Sequence, residues 1–256
     1  TVSTNIMIKK LLTLIIVFCS FNAIGQPESS FGIAFSPVYS YRLLCSENND
    51  NIKNKYVFID DSQIKGLLDS VEFSTFNYSV GLKYNLKFER LVFSTGLYFL
   101  KTGELEKRTY FTGHYVDIGS HHTVVFDGEK DFEFKYSYEY LTIPIKFNYL
   151  IVDKNIKVSA GLGINANILI NKEIKKPDNY DQILLEPVLK NGYSQTRTFV
   201  TGVSGGISIE KELNHGLTVF VSPEFYLQIT PSLTIEDELK QYNYHYGLTI
   251  GIMKKI

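Results

Sequence analysis

Cysteine is scarce in this chain, and neither a helix-length apolar run nor an excess of one charge sign occurs after the first 25 residues. There are two cysteines in 256 residues, Cys19 and Cys45, and no tryptophan. The N-terminal segment containing Cys19 is expected to be removed, so the mature protein can form neither an internal disulfide nor a cysteine metal cluster. The net charge is -1, with lysine and arginine scattered along the chain. This balance argues against nucleic acid as a partner.

The N-terminal segment has the pattern of a signal peptide over residues 7–25. Met7 to Lys10 is basic, residues 11–21 are apolar, and residues 23–25 are mostly small, which predicts cleavage before Gln26. Residues 1–6 precede this pattern and are expected to lie upstream of the true start. The alternative of a membrane anchor is disfavoured, because spanning a bilayer takes about 20 apolar residues. The mature domain is therefore predicted over residues 26–256.

The mature chain contains eight long segments that alternate apolar residues with small or polar ones. The segment from Thr75 is the clearest, because Phe76, Tyr78, Val80 and Leu82 share one side. Membrane-spanning strands need about 9 to 11 residues, which is longer than most soluble strands. The segments lie at about 31–41, 75–86, 90–101, 138–150, 156–170, 198–211, 217–230 and 243–254.

The connections between these segments alternate between long and short. Long polar links are expected at about 44–72, 102–137, 171–197 and 231–242, with tight turns at 87–89, 152–155 and 213–216. An even strand number with short turns on the periplasmic side and long outer loops is typical of bacterial outer-membrane barrels. The sequence predicts an all-β, closed up-and-down antiparallel transmembrane barrel of about eight strands, or ten if the second and third long links add pairs. Asp127-Gly128 predicts a hairpin turn inside the second link.

Each segment has one large apolar side, which is expected to face lipid, and one side of Gly, Ser, Asn, Thr and a few charges, which is expected to face inward. An eight-stranded barrel has an interior just wide enough for side chains, which favours a plugged lumen over a diffusion pore. Pro37, Pro144 and Pro223 fall inside the segments and are expected at bulges or near strand ends. The inward charged set is Arg42, Lys83, Lys146, Lys157, Glu210, Glu224 and His245, whose mixed signs could pair across the lumen.

Three motifs resemble the PorT-like outer-membrane β-barrel family of Bacteroidota. Residues 140–146 (YLTIPIK) resemble that family's Tyr-Leu-x-Ile-Pro strand, residues 161–163 (GLG) its next strand, and residues 246–251 (YGLTIG) its last strand. The resemblance covers nearly the whole mature chain. It implies an integral outer-membrane protein without catalytic residues, in a family with one branch linked to protein secretion.

Two clusters have residue types that occur in metal or catalytic sites, and neither is predicted to be one. His114, Asp117, His121 and His122 lie in the second long link and could in principle bind a transition metal, but a polar surface loop is the favoured interpretation. His245 with Ser222 or Glu224 is the one combination that could serve a lipid hydrolase. A structural hydrogen-bonding role is favoured for it. No catalytic, cofactor-binding or metal-binding residue is predicted, and no cofactor.

The favoured function is a non-enzymatic outer-membrane component that acts in surface interaction or in envelope or secretion assembly. Its expected partners are outer-membrane lipid, the barrel-assembly machinery during biogenesis and a protein bound through the outer loops. The first alternative is a secreted soluble lipocalin-like barrel that binds a small apolar ligand, which would require apolar inward faces. The second is an outer-membrane lipid hydrolase.

Overall fold

The structure is a computed structural model that describes residues 27–46, 72–118, 121–175, 196–235 and 239–256. The predicted signal peptide, residues 7–25, and residues 1–6 lie outside the described residues. No helix in the described part is long and apolar enough to cross a membrane.

Nine strands account for almost all of the described chain, and a single 3₁₀ turn at Asn214–Gly216 joins two of them. The strands are β1 (Glu28–Ser46), β2 (Glu72–Phe88), β3 (Leu91–Ile118), β4 (His121–Asp153), β5 (Ile156–Lys175), β6 (Phe199–Glu212), β7 (Leu217–Gln228), β8 (Leu233–Ile235) and β9 (Leu239–Lys255).

Eight of these strands close into a ring. Each of β1 to β6 pairs antiparallel with the next strand, β7 pairs with β9, and β9 pairs back onto β1. The short strand β8 adds to the outer end of β9. The predicted eight-stranded up-and-down barrel is confirmed. In a closed ring every strand has a neighbour on each side, so its backbone N–H and C=O groups can form hydrogen bonds with those neighbours. This is required in lipid, where no water is present to bond them.

The second long link is an extension of two barrel strands. The β3–β4 ladder continues without leaving the sheet to Ile118 opposite His121. The prediction of a turn at Asp127-Gly128 is wrong, because both flanking segments belong to β4. Gly128, with φ of 117°, instead lies where the register shifts by one residue opposite Thr112 and Gly113. An Asp-Gly pair favours positive φ, which a β-bulge accommodates as readily as a turn.

The two faces of the wall follow the predicted alternation. The outward side chains are large and apolar and are exposed, with Ile33 at 58%, Ile164 at 57% and Leu162 at 75%. The inward positions carry Ser36, Ser94, Asn165 and similar small polar residues, which are buried. Tyrosines lie at one end of the outward band, where Tyr39, Tyr41, Tyr244 and Tyr246 stack across β1 and β9 at centroid distances of 5.4 to 6.1 Å. Such an aromatic belt is typical of a membrane–water interface.

The three prolines lie at neither bulges nor strand ends, so that expectation is wrong. At each proline the ladder to one neighbour is interrupted and then resumes in the same register. Pro223 lies opposite Ile207 in one such gap, and the hydroxyl of Ser222 donates to the Ile207 carbonyl at 3.1 Å. The neighbouring side chain thereby replaces the N–H that proline lacks.

Candidate functional site

Glycines on the inward face create room for large side chains inside the narrow barrel. A Cβ on Gly202 would lie 2.5 Å from the ring of Tyr226, and one on Gly81 would lie 2.7 Å from the ring of Tyr98. Both rings therefore lie flat against the wall of a neighbouring strand. The interior of an eight-stranded barrel has little space to spare, and this arrangement lets it hold aromatic side chains at several levels.

The outer half of the interior is crossed by a buried cluster of charged and amide groups. Arg42 of β1 has its Nη1 3.4 Å from Glu104 and its Nη2 3.8 Å from Glu106, both on β3. These side chains are only 2–3% exposed. Gln241 of β9 donates to both carboxylate oxygens of Glu104 at 3.3 Å, and the hydroxyl of Tyr136 on β4 donates to Glu106 at 3.1 Å. We call this the outer cluster; it ties four strands together across the lumen.

An apolar core accompanies the outer cluster. Inward-facing Phe132, Phe134, Tyr138 and Tyr140 of β4 are 1–6% exposed. They pack in one group that also contains Tyr136 and the following residues of other strands: Val38, Leu100 and Val200. Buried side chains therefore fill the lumen in the outer half of the barrel.

The other half of the interior holds a second set of charges. Lys146 of β4 reaches Glu224 of β7 across the lumen at 2.5 Å, so the predicted pairing of inward charges is confirmed for these two. The ammonium of Lys83 lies 4.0 Å above the centre of the Phe220 ring. Lys157 pairs with Glu212 at 3.3 Å at the strand ends.

A cavity of about 100 Å³ lies among these groups. Its walls include Lys83, Glu224, His245 and several serines. Ser204, 7% exposed, directs a buried hydroxyl without a protein partner toward it. A polar space of this size has room for a few water molecules at roughly 30 Å³ each.

Ser222, Glu224 and His245 do not assemble into the catalytic site of a hydrolase. His245 stacks on the ring of Tyr226 at 4.5 Å, and Ser222 donates its hydroxyl to the backbone of Ile207. Ser222 pairs with Thr249, four residues along β9 from His245, which is roughly 13 Å at about 3.3 Å per residue. The carboxylate of Glu224 accepts a hydrogen bond from the ammonium of Lys146. The structure therefore offers no nucleophile and base in contact at this position.

His121 and His122 lie at the far end of the β3–β4 extension, and His114 lies on β3 close to it. The backbone register places Asp117 opposite His122 and pairs Ile118 with His121. The side chains of these residues, and that of His114, lie outside the described residues. The structure therefore does not test whether these residues form a polar surface loop, as favoured, or a metal site.

Sequence reasoning missed the outer cluster because Glu104, Glu106 and Gln241 fell in segments predicted to be loops. The sequence did contain a pattern that could have located it. The inward alternation of β3 continues past the predicted strand end, through these positions: Ser94, Gly96, Tyr98, Leu100, Thr102, Glu104 and Glu106. That alternation predicts an inward direction for both glutamates.

At the opposite end, the turns carry exposed ion pairs. Lys87 lies 2.8 Å from Asp153, and Lys255 lies 3.0 Å from Glu28. The hydrogen bond and positive charge of each lysine lower the pKa of its partner carboxyl. These pairs fasten β2 to β4 and β9 to β1 where the strands begin or end.

Comparison with known proteins identifies one matching family. The sequence model described as "Outer membrane protein beta-barrel domain" matches residues 30–238. The search of curated proteins found no match.

Several solved structures resemble the fold at low sequence identity. Neisserial surface protein A, from Neisseria, has 10% identity and a TM-score of 0.41 over 89% of this chain and 97% of that chain. The outer membrane protein OprG from Pseudomonas aeruginosa has 10% identity and a TM-score of 0.43 over 90% and 96%. The outer membrane protease OmpT from Escherichia coli has 6% identity and a TM-score of 0.39 over 90% and 97%.

Proposed function

The chain belongs to the outer membrane protein beta-barrel domain family, and from that premise we propose that it is a non-enzymatic surface-interaction or envelope-assembly component with a plugged lumen. Family membership locates the protein in the outer membrane of a Gram-negative bacterium. Its exposed apolar wall is then the lipid-facing surface.

The β3–β4 extension carries the proposal of a surface role. By the usual topology its tip is on the outer side, because the short turns are periplasmic. The strand from Lys101 to Ile118 is roughly 55 Å long at about 3.3 Å per residue, which takes it well beyond the membrane. On the outward face of the extension Lys107 and Glu133 are charged and exposed, and their side chains are paired at 2.5 Å. A long outer extension is a natural contact surface for a protein partner.

The outer cluster and the apolar core beside it support the plugged lumen. Passage of a solute would require separating Arg42 from two buried carboxylates, and breaking such a buried pair costs about 3–5 kcal/mol. The separation of His245 from Ser222 supports a non-enzymatic role over the lipid hydrolase. Charged and polar groups line the cavity, and side chains fill the apolar core above it; both support a membrane barrel over the lipocalin-like alternative, whose ligand would need an open space with apolar walls.

Within the family, we place the chain in the PorT-like branch, with secretion or envelope assembly as its process. The support is the sequence motif at residues 140–146, which forms one stretch of β4 with Tyr140, Thr142 and Pro144 buried on the inward side. Gene deletion followed by quantification of secreted proteins tests this assignment. Unchanged secretion and unchanged envelope integrity would contradict it.

A shortened extension tests the surface role. Thr109 and Asp131 are register partners joined by a 2.6 Å hydrogen bond, so residues 110–130 can be replaced by an Asn-Gly turn. We expect this variant to keep the heat-dependent gel shift of a folded barrel. It should lose the protein cross-links formed in cells by a photoreactive residue at position 107.

A photoreactive residue at position 154, in the periplasmic turn, serves as the control for general loss of assembly. Retention of the position-107 adducts by the shortened barrel would refute the surface role.

The plug is tested separately in planar bilayers, where the purified protein should form no stable channels. Steady wild-type conductance would refute the plug.

A further inference from the structure

We propose that Lys211 and Lys254 form a binding site for the headgroup of an anionic phospholipid in the periplasmic leaflet. The two lysines end the lipid-facing rows of β6 and β9. Lys211 follows Ile207 and Ile209 on the outward side, and Lys254 follows Ile250 and Ile252. Both lysines are exposed.

The register places these lysines close together. Only β7 separates β6 from β9, with Lys211 opposite Val219 and Lys254 opposite Leu217. Strands are about 4.8 Å apart and residues about 3.3 Å apart along a strand, which gives a Cα separation of roughly 12 Å. Two extended lysine side chains can meet on one phosphate across that distance.

The residues around the two lysines suit a whole lipid better than a free anion. Ile209 and Ile252 lie directly above the lysines toward the membrane and Val219 lies beside Lys211, and these three side chains are 36–47% exposed. They provide an apolar surface for an acyl chain, while the lysines lie where the headgroups begin. Lysines at this depth extend toward the interface and attract anionic lipids.

The charges at the base of the barrel are unevenly paired. Lys87 is neutralised by Asp153 and Lys255 by Glu28. In the described part of the chain no carboxylate lies within 4.0 Å of Lys211 or Lys254, and the neighbouring Glu212 is turned to Lys157. Charge complementarity therefore favours an anionic lipid over a zwitterionic one at the β6–β7–β9 side.

The test compares unfolding in two kinds of vesicle. The full chain is folded into phosphatidylcholine vesicles with and without phosphatidylglycerol, and its unfolding equilibrium is measured by urea titration. At about 1 kcal/mol per lysine, each lysine should raise the folding constant roughly fivefold in the anionic vesicles. Wild type should therefore gain about 25- to 30-fold.

A double variant and a matched control distinguish the site from a general charge effect. Lys211→Gln with Lys254→Gln should lose the gain. Lys135→Gln with Lys175→Gln is the matched control, because it removes the same charge from two exposed register partners that lie above the outer membrane–water interface. This control variant should retain the gain in the folding constant. The proposal is overturned if wild type shows no gain, if the first double variant keeps it, or if both double variants lose it equally.

Discussion

An arginine in place of Leu162 tests whether the outward face of the barrel contacts lipid. Leu162 is 75% exposed and lies on the outward side of β5, which begins at Ile156 beside a periplasmic turn. Six residues at about 3.3 Å per residue, on a strand tilted by about 40°, raise it roughly 15 Å above that end. The apolar band of such barrels is about 25 Å tall, so Leu162 lies near its middle.

Leu162→Arg should lower the free energy of unfolding by about 2–4 kcal/mol, because an arginine at the bilayer midplane loses hydration. Ile156→Arg is the control on the same strand and face, and it should cost about 0–1 kcal/mol at the interface. Urea titration in phosphatidylcholine vesicles measures both. Equal, small losses would refute the assignment of this face to the membrane core, since exposure to water makes the two positions equivalent.

Three further perturbations probe the interior and the periplasmic end. Arg42→Met should destabilise the barrel by about 3–5 kcal/mol in urea titration, because it removes the Arg42 guanidinium from two buried glutamates; a loss below about 1 kcal/mol would contradict a stabilising role for these buried ion pairs. Gly202→Ala should cost about 1–3 kcal/mol, since the new Cβ meets the Tyr226 ring, and an unchanged midpoint would show that the ring moves freely. The folded-state pKa of Asp153 is lowered by Lys87, so this pair stabilises the barrel at neutral pH and the stabilisation is lost as pH falls through that pKa. Lys87→Met should therefore cost a few tenths of a kcal/mol at pH 7 and nothing near pH 2, whereas a pH-independent cost would assign the effect to packing.

The strands, their number and their two faces were predictable from the sequence. Apolar residues alternate with small or polar ones along each strand because every outward residue contacts lipid and every inward residue faces a crowded interior. The segment from Thr75 illustrates this, since Phe76 and Val80 are exposed and Asn77 and Asn85 are buried as expected. The N-terminal signal peptide lies outside the described residues and stays a prediction.

The interior was predictable only in part. Inward direction was correct for Arg42, Lys146 and Glu224, but the partners of Arg42 were not found. Glu104 lies in a polar stretch that resembles a loop when the pairing of β3 with β4 is unknown. The hydrolase combination failed for the same reason, because parity places His245 and Ser222 on one face but only register gives their separation along the strands.

The sequence by itself determined the strand segments, the side of each residue and the closed character of the sheet, because these depend on local alternation and on the backbone's need for partners in lipid. Tertiary structure decided which inward residues meet, where the β3–β4 ladder ends and how the prolines are accommodated. These features depend on register and on packing across a narrow lumen, where residues far apart in sequence share one space. A pattern along a single strand contains no information about its offset from the next.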